Sequence, residues 1–265
     1  MELTAQVLIY NFASVTLMML CGWIYSLIKN NVTLADSLWG LGFIIIAWIT
    51  FFHGNGYLCR KILITVPVTL WGLRLFIHIA KRNRGKGEDP RYTEWRNQYG
   101  AGFKYVSLFK VFLVQGVFLW IISLSIQIGG LSDKSSHLTF FDFAGLAIWC
   151  AGFLIESFAD YQLAAFLNNP VNRGRVMNRK LWRYSRHPNY FGESAIWWGI
   201  FIISLSVPYG YFSIISPIVI TYTLLRITGV TLMEKTVFGN NPEYKDYVET
   251  TSSFIPWFPR KKSLQ

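Results

Sequence analysis

Six ionisable residues, Asp36, Arg74, Glu156, Asp160, Glu193 and Arg226, stand inside apolar stretches long enough to cross a membrane. A charge at the centre of a spanning helix costs about 2.5–3.5 kcal/mol on insertion scales, and less near its ends. Acids and bases retained at that cost mark a polar cavity. Glu156 and Asp160 are four apart and therefore share one helix face. A carboxyl enclosed by apolar groups can keep its proton and donate a hydrogen bond to a carbonyl oxygen on which charge develops. Asp36 is the candidate for that task, with Tyr25 and Trp71 as further catalytic candidates. Trp39 and Phe43 are expected to wall an apolar substrate.

Two loops offer the complementary chemistry. The first reads Lys81-Arg82-Asn83-Arg84-Gly85-Lys86-Gly87-Glu88-Asp89-Pro90-Arg91-Tyr92, and the second runs from Asn172 through Arg173-Gly174-Arg175 to Tyr184-Ser185-Arg186-His187-Pro188-Asn189-Tyr190. Arg and Lys suit phosphate oxygens, as bidentate forks and point charges respectively. Glycines among them let the backbone approach a ligand closely. The second loop places six cations within 14 residues, from Arg173 to Arg186. They repel one another unless an anion shares the space. His187 and Asn189 add directional hydrogen bonds beside a turn that Pro188 ends. Binding of anionic lipid head groups would account for the charge alone. It would not account for the interleaved Asn, Gly, Tyr and Trp, which suit a nucleotide with an aromatic base.

No G-x-G-x-x-G follows a strand pattern, and the P-loop, H-E-x-x-H, nucleophile-elbow and Cys/His metal patterns are absent. A nucleotide must then be held by helices, and no metal is expected. Cys21, Cys59 and Cys150 are isolated and read as small buried hydrophobes.

The elements that must position these groups are membrane helices. Apolar residues make up 52% of the chain, aromatics 17% and charged residues only 15%. Mean hydropathy is +0.33. The net charge of +11 would suggest nucleic acid on a soluble protein. Here the basic residues flank apolar runs, so no nucleic-acid partner is expected. The pattern predicts an all-α polytopic membrane protein, a seven-transmembrane-helix bundle with spans over 6–28, 34–52, 62–80, 108–127, 140–167, 191–208 and 210–233. With the N-terminus outside, 20 of the 25 Lys and Arg fall on one face and Arg60, Lys61 and Lys134 on the other. That asymmetry makes the heavy face, and the C-terminus, cytoplasmic. No linker or internal repeat divides residues 1–265, so a single domain is expected. A basic n-region and cleavage site are lacking, so the first apolar run should stay in the mature chain.

The run Arg186-His187-Pro188-Asn189-Tyr190-Phe191-Gly192-Glu193, with Asp160 upstream and Asn83-Arg84-Gly85 earlier, resembles the membrane-embedded steroid 5α-reductase family. It looks closest to a bacterial branch with Gly-Lys-Gly-Glu-Asp in the first loop and Phe254-Ile255-Pro256 near the end. The likeness extends from about residue 34 to 258. Isoprenylcysteine carboxyl methyltransferases and some sterol reductases carry similar versions of the Arg-His-Pro-Asn-Tyr core. The resemblance implies a seven-helix enzyme that uses NADPH to saturate a carbon–carbon double bond conjugated to a ketone. It implies that Asn83, Arg84 and Lys86 form a cofactor-facing loop, and that Asp160 contacts the nicotinamide–ribose half. Arg175, Tyr184, Asn189 and Glu193 match groups around the pyrophosphate, riboses and carboxamide, with Arg186 and His187 in the same loop. Arg74, Glu156, Arg173, Tyr190 and Glu234 complete the cofactor candidates.

The mammalian members carry a Gln-Glu pair on helix 2 and a Tyr on helix 3 near the steroid ketone. Here Asp36 is the nearest acid, Trp71 lies near the helix 3 position, and Glu156 replaces an Asn. The expected arrangement puts the substrate cavity in helices 1–4, and NADPH at residues 81–104 and helices 5–7 with loop 168–190. The substrate is a steroid or other lipophilic enone entering from the bilayer. The enzyme is expected to be a monomer among membrane lipids, in a bacterial inner membrane with its cofactor site facing the cytoplasm. Two rivals are methyl transfer from S-adenosylmethionine, whose cofactor has no phosphates for the cationic loops, and a non-enzymatic lipid-binding scaffold.

Overall fold

The structure is a computed structural model, and it describes residues 2–227, 229–230 and 242–260. Among the described residues it is all-α, without strands. Six helical stretches are long and apolar enough to cross a membrane: Thr4–Lys29, Leu34–His53, Leu58–Asn83, Pro90–Ile122, Phe140–Leu167 and Gly210–Ile227. The chain is therefore an integral membrane protein. Its large exposed apolar side chains, such as Ile9, Leu17, Ile28 and Leu70, are those expected against lipid. Cys21, Cys59 and Cys150 are exposed too, contrary to the expectation of burial. On a spanning helix the apolar solvent is outside, so a small apolar residue gains little by facing inward.

The helices are α1 (Glu2–Lys29), α2 (Leu34–His53), α3 (Leu58–Asn83), α4 (Pro90–Tyr99), α5 (Phe103–Ser107), α6 (Val114–Ile122), α7 (Leu124–Leu131), α8 (Phe140–Leu167), α9 (Pro188–Ser204), α10 (Ile215–Tyr222) and α11 (Pro242–Thr250). The span expected over 108–127 begins earlier and ends earlier. Asp89 caps α4 by accepting from the Arg91 N–H at 2.9 Å, with Pro90 in the first turn. Both choices suit a helix start. A π-helical turn over Leu108–Leu113 then joins α5 to α6. The span expected over 191–208 is not among those six stretches; its residues fall largely on α9, whose 17 residues make a rod of about 26 Å.

Two compact units divide the chain, Met1–Phe143 with Phe201–Ser216, and Ala144–Ile200 with Pro217–Gln265. In the first unit α2 packs on α3 backbone to backbone. A methyl group on Gly40 would lie 2.4 Å from the Gly72 carbonyl oxygen, so only glycine permits this approach. Phe43 and Trp71 are fully buried beside that crossing, with ring centroids 5.6 Å apart. Asn11 donates to Thr50 Oγ1 and to Gln127 Oε1, tying α1, α2 and α7 through buried side chains. Such bonds bind helices where lipid provides no hydrophobic drive.

The first unit also holds a pair that the charge count misplaces. Arg60, read as a loop cation, lies in the first turn of α3 and is fully buried. Its Nε and Nη2 donate to the two carboxylate oxygens of Asp142 at 2.7 and 2.8 Å, and Nη2 also reaches the His137 carbonyl. The bidentate fork satisfies a charge that lipid could not. Truncating one partner of such a pair costs about 3–5 kcal/mol, whereas apolar replacement of both is near neutral. Asp142→Ala should therefore lower thermal stability in detergent sharply, and Arg60→Met with Asp142→Leu should recover most of it. Equal melting of the single and double variants would refute this account.

The acids of the first basic loop clamp α4 to the turn between α1 and α2. Glu88 accepts from the Arg96 side chain and from the Val32 N–H, each at 2.8 Å. The Asp89 N–H donates to Thr33 Oγ1 at 2.8 Å, and its carboxylate accepts from the Arg91 side chain. Burial pushes both carboxyls up, but hydrogen bonds from Arg96 and Val32 to Glu88, and from Arg91 to Asp89, outweigh it and hold both below their ordinary values. The stabilisation from a depressed carboxyl is complete above its unfolded pKa and is lost as pH falls through the folded one. Protection factors over residues 88–96, corrected for the intrinsic pH dependence of amide exchange, should fall on acidification below the ordinary carboxylate range and stay level from there to neutrality. Protection that rises on acidification would contradict the clamp.

Candidate functional site

The second unit builds its polar cluster on a close backbone contact between α8 and α9. A methyl group on Gly192 would lie 2.6 Å from the Glu156 backbone nitrogen and 2.7 Å from the Gly152 carbonyl oxygen. Seven residues further along α9, one on Gly199 would lie 2.7 Å from the Gly145 carbonyl oxygen. This run of contacts presses α9 onto α8. It sets the Glu156 and Asp160 face of α8 against the α9 face carrying Asn189 and Glu193, which are also four apart.

At this seam the Asn189 Nδ2 donates to Asp160 Oδ1 at 3.1 Å. Glu156, Asp160 and Glu193 are all buried. The Asn189 Oδ1 is a buried acceptor with no partner among the described residues. A buried amide oxygen left this way carries the full cost of its desolvation, which makes it a position for a ligand N–H. His187 is buried, and its ring stacks on Tyr190 with centroids 5.5 Å apart and planes 8° off parallel.

The basic loop is fixed over this cluster from two sides. Trp182 Nε1 donates to the Ala159 carbonyl of α8 at 3.0 Å, and the Leu181 N–H to Gln162 Oε1. The Tyr247 hydroxyl of α11 lies within hydrogen-bond reach of the Trp182 and Ser185 carbonyls. Arg186, expected among the cofactor contacts, donates through Nη1 to the Val248 and Thr251 carbonyls at 3.0 and 2.6 Å. It thus caps the C-terminal end of α11. Tyr184 is exposed on the same loop.

One turn design occurs in both units. Asn83-Arg84-Gly85-Lys86 and Asn172-Arg173-Gly174-Arg175 are each closed by a bond from the fourth N–H to the first carbonyl, at 3.1 and 3.0 Å. Arg84 and Arg173 have φ, ψ of −61°, 127° and −60°, 125°, and the glycines take φ of +73° and +79°. These are type II turns, whose third position favours glycine. The cations flanking each glycine are exposed and make no ion pair with any described residue.

In the first unit, Asp36 is half-buried and accepts from the Tyr92 hydroxyl at 3.0 Å, from Gln115 Nε2 at 3.4 Å and from Arg91 at 3.4 Å. The phenol that reaches Asp36 is thus that of Tyr92 and not Tyr25. Tyr25 is exposed on α1 beneath the Lys29 ammonium. The reading of residues 81–92 as a loop does not single out Tyr92; the Asp89-Pro90 helix start is the signal that places it on α4. Trp39, Phe43 and Trp71 form a continuous aromatic contact, with Trp39 and Phe43 centroids 5.5 Å apart. Arg74 is half-buried on α3. Arg226, expected inside the bundle, is exposed near the end of its helical stretch, where a long side chain can reach polar surroundings. Glu234 lies outside the described residues.

The relatives agree with the chain over most of its length. An uncharacterized protein of Schizosaccharomyces pombe is 23% identical over 267 residues, which cover 88% of this chain and 75% of the relative. No solved structure matches. Residues 22–251 match a family described as "protein of unknown function (DUF1295)", a stretch that holds the α8–α9 cluster, both glycine turns and Asp36. The chain is a member of the DUF1295 family.

Proposed function

We propose that this protein is an NADPH-dependent reductase of lipophilic enones, with 3-oxo-4-ene steroids or chemically similar lipids as substrates. The observation that carries the proposal is the bond from Asn189 to the buried Asp160, with the Asn189 oxygen unclaimed among the described residues, beside a loop whose Arg173 and Arg175 are exposed and make no ion pair with any described residue. The residues fit a dinucleotide: a carboxamide needs an acceptor such as Asn189 Oδ1, riboses need buried acids such as Asp160 and Glu193, and phosphates need exposed forks such as Arg173 and Arg175. His187 and Tyr190 would supply a flat, rigid surface beside them. When bound, NADPH would supply the hydride.

On the substrate side, the enone oxygen gains negative charge as the β-carbon is reduced, and a donor aimed at it lowers the barrier. Asp36 and Tyr92 share one hydrogen bond. With Asp36 protonated and donating to the phenol oxygen, the Tyr92 O–H would be released to donate to the ketone. The dense cations favour this reading over methyl transfer, because the methyl donor has no phosphate. An apolar substrate dissolved in lipid and a charged cofactor dissolved in water suit a protein that touches both.

The purified protein should consume NADPH in the presence of a 3-oxo-4-ene steroid, followed by the loss of the cofactor's near-ultraviolet absorbance. Asp160→Ala should raise the Kd for NADPH at least tenfold. Tyr92→Phe should leave that Kd unchanged and lower kcat by about 100-fold, the usual loss for one donor to an oxyanion. Unaltered NADPH binding in Asp160→Ala would end the cofactor assignment, and full turnover in Tyr92→Phe would end the substrate one.

We also propose that α9 is a seventh crossing, so that the N-terminus is outside and the C-terminus cytoplasmic, in a bacterial inner membrane. Twenty of the 25 Lys and Arg lie on the side that this topology makes cytoplasmic. A fluorescent protein fused after Gln265 should then fluoresce, while alkaline phosphatase at the same place should be inactive. The reverse pattern would overturn the orientation.

A further inference from the structure

The segment following α11 plays no part in the reading above. It is an extended arm held through main-chain bonds. The Arg186 N–H donates to the Ser252 carbonyl at 2.8 Å, the Trp257 N–H to Tyr184 at 2.9 Å and the Arg260 N–H to Thr250 at 2.8 Å. Ser185 Oγ donates to the Phe254 carbonyl at 2.7 Å. Phe254 turns inward onto Phe191, with ring centroids 5.8 Å apart. The next side chains turn outward: Ile255, Trp257 and Phe258 are 62%, 70% and 76% exposed. A well-anchored backbone thus displays three large apolar groups.

Charge surrounds them. The arm borders a cleft of about 540 Å³ lined in part by Arg179, Lys180, Arg183 and Pro259. Arg260 is exposed at its end, and the sequence continues with Lys261 and Lys262. Glu243 and Asp246 also line the cleft and leave it only weakly cationic, so the arm itself is the better anchor. Its height follows from its attachments. Tyr184 and Ser185 lie within four residues of Pro188, where α9 begins, and Trp182 ties the same loop to α8 at Ala159, about two turns before that helix ends. The arm is therefore held near the C-terminal end of the spanning helix α8.

We infer that the arm over residues 252–260 docks on the surface of the bilayer carrying anionic phospholipid. Trp257, Phe258 and Ile255 enter the boundary between head groups and acyl chains, and Arg183 and Arg260 meet lipid phosphates. Indole and phenyl rings flanked by Arg and Lys are the side chains that prefer that boundary. Each cation near an anionic leaflet adds attraction that falls off within a Debye length. The aromatic groups would otherwise stand in water on a backbone that cannot turn them inward. This inference depends on the membrane helices and is independent of the proposed reductase activity.

The test uses the full-length protein labelled with fluorotryptophan, in nanodiscs of phosphatidylcholine with or without phosphatidylglycerol. The Trp257 fluorine resonance is assigned by its loss in Trp257→Phe; if that variant does not express, the resonance added by Phe258→Trp serves as the probe of the arm in its place. A lipid carrying a nitroxide near its head group should erase the Trp257 resonance, more completely with phosphatidylglycerol present, and a soluble gadolinium chelate should leave it intact. Arg183→Gln with Arg260→Gln should remove the phosphatidylglycerol dependence. Erasure by the chelate alone would place the arm in water and overturn the inference. Protection from both probes would mean that a second copy or another protein covers it, and would overturn it equally. Erasure that ignores phosphatidylglycerol would defeat the claim for anionic lipid.

Discussion

Where Gly192 meets Glu156 and Gly152, two helix backbones approach so closely that no side chain fits between them. Inside a bilayer, helices are not pushed together by water, because lipid tails are as apolar as leucine. Close van der Waals packing and hydrogen bonds must do that work. On α8 and α9 this requirement has a chemical consequence. The contact that brings the backbones together lies beside the acids and amide of the polar cluster, so packing and site geometry are set by the same residues. Asn189 can reach Asp160 only because small residues one turn away remove the steric barrier. The Gly40–Gly72 crossing does for the aromatic contact of Phe43 and Trp71 what the α8–α9 seam does for the carboxyls.

The cations sort into two populations that a count of charges cannot separate. Arg60, Arg91, Arg96 and Arg186 are committed to carboxylates or carbonyls within their own units. They neutralise charge, cap a helix or hold a loop. Arg84, Lys86, Arg173 and Arg175 flank left-handed glycines in two matching turns and are committed to nothing described. The first population accounts for how a strongly basic chain can pack at all. The second is positive charge that stays available to an anion at the two turns.

Much of the fold was legible in the residues. The stretch 140–167 matches α8 to the residue, and the first three spans match within a few positions, because hydrocarbon thickness dictates the length of an apolar run. The start of the fourth span lies earlier than hydropathy predicts, since the polar helix α4 has no apolar periodicity and announces itself only by Asp89-Pro90. Arg60 has nothing local to distinguish it from Lys61 as a loop cation. Its partner Asp142 is 82 positions away.

Composition and patterning are enough to establish that this chain lives in a membrane and that cations crowd particular loops. Those properties are sums over local composition, with hydrocarbon as the reference solvent. Tertiary structure alone decided which charges are consumed and which remain. It also decided that Tyr92 rather than Tyr25 reaches Asp36, and that Asn189 spends its N–H on Asp160 while its oxygen stays available. These outcomes depend on distances of about 3 Å between residues far apart in the chain, the range at which hydrogen bonds form or fail. Spacing along one helix carries no information at that scale about a neighbour on another.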